Sequence, residues 1–494
     1  MTRPTPLTTP ATLTRRELLD AIDKSPPGPA TGAYFDFDGT LIRGHSSWAF
    51  CVNRLRHGEW PAEAWHALTS APPHRVAADL WRARSGVETR AAARLGAAAA
   101  ACWHGRTEDE LAVLSERVFV EEIAPTIDRD MWALVRAHQA RGHSVCVATA
   151  ASHSQVAPLA RALGVSELLC TPVPVKGGRV VTDTPPPLCS GTDKLEAVQA
   201  HARRRGVELA DSYAYCDGYE DLPLLGAVGR PRVVRPKAAL SAEAVNRGWP
   251  AVLVDGARGS ALGRVRATVA AAGAATLALA AAAGAAGAGC EPRAVTAGTK
   301  RLGSALVLRA AGVEVVVRDG GGPAPAGPAV YVANHTSPLD PLVLARLVEG
   351  DWCAVAKREL GRVPVMGACL RFADTLFVDR DGPPRSAEFL DAAAGRLASG
   401  RSVVVLPEGT RSLTPDVGPF RSGAFRIAAR AGVPVVPIAI HNATDVMTRK
   451  GLTLGPGRIE VTILPPVDTR DWDPAQIRTE ADRVRQSLVE ALRA

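Results

Sequence analysis

The chain has 494 residues, of which 47% are hydrophobic, 22% charged and 5% aromatic, with a formal net charge of +8 and a pI of about 9.2. That length is too great for one ordinary core, so two or more domains are expected, and the composition leaves room for large ones. The mild basic excess suits anionic partners, but basic residues are scattered and aromatics are few, which sets nucleic acid aside as a partner.

The cysteines run from Cys51 to Cys369 without a C-x-x-C pair, a pattern expected of reduced thiols in a cytosolic chain. Residues 1–32 lack the apolar run of a secretory signal. They read as a disordered arm with one short helix around Arg15–Asp23. From Ala33 to about Asp255, the strand-like runs AYFDF, SVCVATA, SYAYC and AVLVD alternate with helical patterns. This alternation predicts a doubly wound α/β domain with a parallel sheet. Between about 45 and 130 the pattern is helical throughout, as expected of a cap inserted over a sheet-edge site.

Residues 256–299 read as an Ala-rich connector. Its stretch 267–289 carries no charge, and as a helix would reach about 35 Å, enough to cross or dip into a bilayer. Alanine contributes little to insertion, so a small-residue helix packed on protein is the competing reading. From 300 to 494 the strands VEVVV, AVYVAN, RSVVVLP and VPVVPIAI alternate with amphipathic helical stretches, a second α/β domain.

Chemistry-bearing residues fall at the ends of these runs. YFDFDGT puts Asp36 and Asp38 at the carboxyl end of a buried strand, where open α/β sheets bind ligands. One of these carboxylates can attack phosphorus while the other handles protons. Thr149 ends a second strand, poised to donate to a phosphoryl oxygen. Lys194 opens a helix and can neutralise phosphoryl charge. Asp217 and Asp221 follow a third strand as hard oxygen ligands for Mg²⁺. Each has a bland solvated alternative; together, in order, at strand ends, they do not.

Residues 33–255 therefore resemble the haloacid dehalogenase superfamily, in its phosphoserine-phosphatase-like branch with a helical cap. The resemblance implies a Rossmann-like fold, Asp36 as nucleophile and Asp38 as general acid/base. Thr149 and Lys194 would hold the phosphoryl group, and Asp36, Asp38, Asp217 and Asp221 would form the Mg²⁺ site. Cys216 stands where this family usually has glycine, and a side chain there could crowd the site. The alternative is a non-catalytic binding or regulatory domain.

In the second domain, YVANHTSPLD runs from an apolar strand into His335 and, five residues on, Asp340. If the chain turns into a helix there, the carboxylate can fold back to hold the imidazole. DTLFVDR ends a strand with Arg380, a fork suited to phosphate, and PEGTRS delivers Glu408, Gly409 and Arg411 on a tight turn. These motifs, with VPVVPI, resemble the glycerolipid acyltransferases that make phosphatidate from lysophosphatidate, over about residues 305–470. The resemblance implies His335 as base and Asp340 as its partner. Arg380, Glu408, Gly409 and Arg411 would bind the glycerol phosphate, and Val433–Ile438 would help shape the region for an acyl-CoA or acyl carrier protein donor. Lys357 is a weaker phosphate candidate. Asp374 and Leu406 depart from the family's usual glycine and aromatic. The expected whole is a two-enzyme fusion, peripheral or weakly anchored at the cytoplasmic face of the membrane.

Overall fold

The computed structural model describes residues 9–60, 100–181, 188–253, 261–318, 325–363, 366–378, 386–449, 451 and 453–493. The chain divides into two compact units, Met1–Asp255 and Gly256–Ala494. Both are α/β.

The strands of the first unit are β1 (Thr12–Leu13), β2 (Gly32–Phe35), β3 (Ser144–Ser152), β4 (Glu167–Thr171), β5 (Val175–Lys176), β6 (Arg179–Val180), β7 (Tyr213–Cys216), β8 (Arg230–Val234) and β9 (Ala251–Val252). Seven of them form a sheet in the order β1-β9-β8-β7-β2-β3-β4, parallel throughout. β5 and β6 make a separate antiparallel hairpin. Strands β2 and β7 are buried at every residue, which is why they read as unbroken apolar runs rather than alternating ones. Register then builds the site. Phe35 lies opposite both Val147 and Tyr215, so Asp36, Thr149 and Asp217 all fall within two residues of one rung.

Between β2 and β3 the described elements are helical, including Ser46–Arg56 and Glu108–Val118. Most of the expected cap, residues 61–99, lies outside the described residues. The N-terminal arm corrects the expectation of disorder from Thr12 onward. β1 pairs with β9, and the helix Arg15–Asp23 starts at a Thr14–Glu17 capping box. Its Leu18 and Ile22 are spaced i, i+4 and are 1% and 2% exposed. Burying two such side chains offsets the ordering entropy that a polar arm would lose.

The second unit holds β10 (Val313–Val317), β11 (Val330–Ala333), β12 (Trp352–Lys357), β13 (Leu376–Val378), β14 (Ser402–Val405), β15 (Val435–Ile440) and β16 (Gly457–Ile463). Their order is β10-β16-β15-β11-β14-β12-β13, and only the β15–β16 pair is antiparallel. Apolar clusters cover both faces. β11 lies between β14 and β15, with Val332 opposite Val405 and Ala333 opposite Ile438. The chain segments that leave β11 and β14 therefore emerge side by side, and they carry His335 and Glu408.

The Ala-rich stretch is a helix, Ala261–Gly287, that belongs to the second unit. Ala271 and Ala274 are buried in that unit's core, and Arg264 and Thr268 hydrogen-bond to Thr453 and Leu454. At about 100° per residue, these alanines lie roughly opposite the exposed side chains Leu262, Val265, Val269 and Leu277. The helix is thus a wall of the domain with an apolar outer stripe, and by length and composition it could cross a membrane.

Candidate active sites

In the first unit, the peptide N–H of Asp36 donates to Tyr215 O at 2.9 Å, which sets the nucleophile candidate against the end of β7. Lys194, 2% exposed, lies in the first turns of the helix Gly191–Arg205. Its Nζ donates to Asp36 Oδ1 at 3.2 Å and lies 2.5 Å from Asp221 Oδ1. Burial works against the Lys194 ammonium, yet Asp36 and Asp221 hold its pKa well above the usual lysine value. Thr149 is buried; its hydroxyl accepts from Ala151 N at 3.1 Å, which leaves the hydroxyl hydrogen free to donate.

The two oxygens of Asp38 accept from Ser46 N at 2.7 Å and Ser46 Oγ at 3.0 Å, so the carboxylate is held by the start of the helix Ser46–Arg56. Burial pushes its pKa up to about 6, against the pull of His45 and the Ser46 N–H. That value suits proton transfer near neutral pH. Asp217 lies beside Gly39, whose φ is +75°; a Cβ there would meet Asp217 Oδ2 at 2.1 Å. Glycine is required both for the turn and for this contact. Burial, then the charge of Asp36, raises Asp217 well above the ordinary carboxylate range. Burial likewise lifts Asp221 to about 7, despite Lys194.

Asp36 and Asp221 flank one buried lysine, Asp217 lies near both carboxylates, and Asp221 Oδ2 is buried with no hydrogen-bond partner among the described residues. No three acidic, histidine or cysteine side chains converge as a complete cage among the described residues. Mg²⁺ does not need one, because it keeps several waters and takes one or two carboxylates together with substrate phosphate. The donor set fits. Cys216 lies close enough to Lys194, Asp221, Asp36 and Asp217 to feel their charges. It is fully buried at the end of β7 and packs in the core with Cys146, Ala148, Val198 and Leu224.

In the second unit, His335 Nδ1 meets Asp340 Oδ2 at 2.8 Å. The helix Asp340–Leu347 begins at that aspartate, and the same oxygen accepts from Thr336 N and Ser337 N, each at 2.8 Å. The turn into a helix is what folds the carboxylate back onto the imidazole. Asp340 is fully buried and His335 partly exposed, so the free face of the ring is the one open to a substrate. Gly409 has φ +77°, and a Cβ there would meet Arg421 Nε at 2.7 Å.

Arg411 donates to Arg449 O, and Arg449 Nε donates to Arg411 O at 3.0 Å. The two guanidinium groups are held together without a carboxylate among the described residues. Arg380 lies outside the described residues. Lys357 ends β12 with its Nζ 3.8 Å from Glu359. Of Val433–Ile438, residues Val435–Ile438 are buried and pair with β11. Asp374 has φ +53°, which explains the glycine expected there, and its carboxylate is neutralised by Arg396 and Arg401.

Glu408 is bound from within the domain. Its Oε1 accepts from His335 N at 2.7 Å, and its Oε2 accepts from Gly418 N at 2.8 Å and from the Ser412 hydroxyl. Burial raises its pKa against those three donors. It is 8% exposed, and three of its roughly four acceptor positions are taken from within the domain.

Sequence reasoning missed several supports. Gln155 Nε2 donates to Ser46 Oγ at 2.8 Å. Arg235 donates to Gly39 O, Thr40 O and the buried Asp128. Its own φ of +45° is strained for a side chain of that size, as is common where a functional loop is held. Asn334 exchanges hydrogen bonds with Ile440 N and O. The Ser152–Gln155 capping box was legible in SHSQ-type spacing; Arg235 and Arg449 left no local signal.

The chain joins two recognisable classes. Residues 33–226 match the family model of haloacid dehalogenase-like hydrolases, and residues 314–441 match that of acyltransferases. Among curated proteins, the chain is 35% identical over 183 residues to the 1-acyl-sn-glycerol-3-phosphate acyltransferase alpha of Ovis aries, covering 37% of this chain and 64% of that one. It thus spans just under two thirds of that relative's length. Solved structures similar to it include the 1-acyl-sn-glycerophosphate acyltransferase of Thermotoga maritima, at 26% identity, 41% and 81% coverage and a TM-score of 0.36. A haloacid dehalogenase family hydrolase of Salmonella enterica serovar Typhi is similar at 15% identity, 46% and 68% coverage and a TM-score of 0.33.

Proposed function

We propose that the second unit transfers an acyl group from acyl-CoA or acyl carrier protein to 1-acyl-sn-glycerol-3-phosphate, giving phosphatidate. The observation that carries this reading is the His335–Asp340 pair at 2.8 Å, beside a turn bearing Arg411 and Arg449. In the reaction, His335 Nε2 takes the proton of the acceptor hydroxyl as its oxygen attacks the thioester carbonyl. The new C–O bond forms, the C–S bond breaks, and the leaving thiolate is protonated from the imidazolium. Asp340 holds the tautomer and offsets the imidazolium charge. Arg411 and Arg449 bind the acceptor's phosphate, with Arg380 as a further anchor.

The first unit is a phosphomonoester hydrolase in this reading. Asp36 attacks phosphorus to form an aspartyl phosphate, and Asp38 protonates the leaving oxygen and then activates water. Thr149 and Lys194 hold the phosphoryl oxygens. Asp36 and Asp217, supported by Asp221, would hold Mg²⁺, which supplies charge neutralisation on the transferring group. The alternative is a non-catalytic binding or regulatory domain, and the same phosphate-release assay decides between the two.

The outer stripe of the helix Ala261–Gly287 lies on the cytoplasmic face of the membrane as a peripheral contact, with the net positive charge favouring anionic headgroups. Labelled lysophosphatidate supplied with acyl-CoA and Mg²⁺ tests the scheme, with phosphatidate and free phosphate followed together. Absence of phosphatidate overturns the acyltransferase reading. Absence of phosphate release from every phosphomonoester offered overturns the hydrolase reading.

A further inference from the structure

The PEGTRS turn brings a carboxylate to the catalytic loop, and its hydrogen bonds decide what that carboxylate does. Glu408 sits just beyond β14, the strand beside β11. One oxygen receives the backbone N–H of His335 itself, and the other receives Gly418 N and the Ser412 hydroxyl. A carboxylate offers about four acceptor positions, and three are filled from within the domain. Gly418 is packed so closely that a Cβ there would lie 2.8 Å from Glu408 Oε2. The tie is doubled in the other direction, because Ser412 N donates to His335 O at 2.7 Å. Both backbone polar groups of His335 are therefore bound to the 408–418 loop, through Glu408 and Ser412. Ser337 Oγ adds a third tie, to Met447 O at 2.7 Å.

We propose that Glu408 is a positioning residue that fixes the His335 backbone against the 408–418 loop, rather than a ligand of the acyl acceptor. The imidazole reaches Asp340 only if the backbone at residue 335 is held at one angle. A single χ1 rotamer then points Nδ1 at the carboxylate and Nε2 outward. Releasing the His335 N–H leaves a buried donor without a partner, a costly state that the loop relieves by shifting. A displacement of about 1 Å at a general base can cost about 100-fold in rate.

The proposal rests on the acyltransferase reading for its kinetic arm but not for its spectroscopic arm. In the full-length chain with ¹⁵N-labelled histidine, the His335 Nδ1 proton bound to Asp340 is expected as a downfield resonance. It should move or broaden away in Glu408→Ala, which leaves the His335 N–H without its acceptor. An unchanged resonance overturns the proposal whatever the enzyme does. In kinetics, Glu408→Gln should lower kcat for acyl transfer, with Glu408→Ala nearer about 100-fold, while KM for lysophosphatidate stays near its unaltered value. Combined with Asp340→Asn, the loss should fall well short of the product of the single losses, because both act through one imidazole. A raised acceptor KM with kcat retained, or multiplicative losses in the double variant, overturns it. If the unaltered chain fails to acylate lysophosphatidate, the acyltransferase reading falls and the resonance alone decides.

Discussion

The two units solve one placement problem with opposite charges. In each, a catalytic loop leaves the carboxyl end of a central parallel strand, and a charged side chain from beyond a nearby strand end grips its backbone. In the first unit the grip is cationic: Arg235 donates to the carbonyls of Gly39 and Thr40. In the second it is anionic: Glu408 accepts the N–H of His335. Each site also needs one left-handed glycine, Gly39 beneath Asp217 and Gly409 beneath Arg421. The sites differ in what they await. Asp36, Asp217 and Asp221 form a buried excess of negative charge that calls for a cation. Arg411 and Arg449 form a positive pair that calls for an anion. Backbone support is common to both, whereas the sign of the uncompensated charge sets the chemistry.

If the two machineries are separate, damage should not cross between them. Asp36→Asn should abolish release of phosphate from a phosphomonoester and leave acyl transfer intact. His335→Ala should lower acyl-transfer kcat by roughly 10²–10⁴-fold, the scale of general-base catalysis, and leave phosphate release intact. Assaying both activities on both variants checks this, and a loss of both in either variant would break the comparison.

The supporting arginines sharpen it. Arg235→Ala should lower phosphate-release kcat by on the order of tenfold through a loosened loop, with Arg235→Lys recovering part of the loss. Arg449→Ala should instead raise KM for lysophosphatidate about tenfold, as expected for one charge-assisted hydrogen bond. Steady-state kinetics with the acceptor varied at saturating donor separates these outcomes, and a donor KM effect at Arg449 would reassign it to the donor's phosphates.

Metal should act on the first unit only, and pH should change how strongly that unit depends on it. Asp38 and Asp221 are held at about 6 and about 7, above the unfolded value of about 3.9. The folded state then binds these protons more tightly than the unfolded state does. Their stabilisation is present below about pH 4 and is lost as pH rises through about 7. With Mg²⁺ chelated, Tm of the first unit should fall between pH 5.5 and 8, and added Mg²⁺ should raise it more at pH 8 than at pH 5.5. Calorimetry at the two pH values reads this; equal Mg²⁺ shifts at both would contradict it.

The smallest effect belongs to the outer stripe of the helix Ala261–Gly287. Val269→Glu with Leu277→Glu should weaken binding to anionic vesicles several-fold while leaving the buried alanine face in place. Deleting the helix is a poorer test, because it would strip Ala271 and Ala274 from the core. Unchanged sedimentation with vesicles would show the stripe to be idle.

Much of this was legible in the chain itself. Asp36, Thr149, Lys194, Asp217, His335 and Asp340 could be placed at strand ends because buried parallel strands are short apolar runs and the chemistry starts where the runs stop. The helix at Arg15–Asp23 showed its capping box, but its docking did not show, since Leu18 and Ile22 among charged neighbours carry little weight locally. The hydrogen bonds of Glu408 were not legible, because a motif names a residue without saying which donors surround it.

Residue order therefore determined the two α/β units, the order of the candidate catalytic groups and their chemical types, because periodicity and turn chemistry are local. Tertiary structure decided the rest. Strand register brought His335 beside Glu408, 73 positions away in sequence, turned Asp38 toward Ser46 and buried Cys216 in the core. It also paired Arg411 with Arg449 and docked the alanine face of the long helix. These outcomes depend on which backbone groups lie across from one another, and hydrogen-bond partners distant in sequence leave no local mark on the chain.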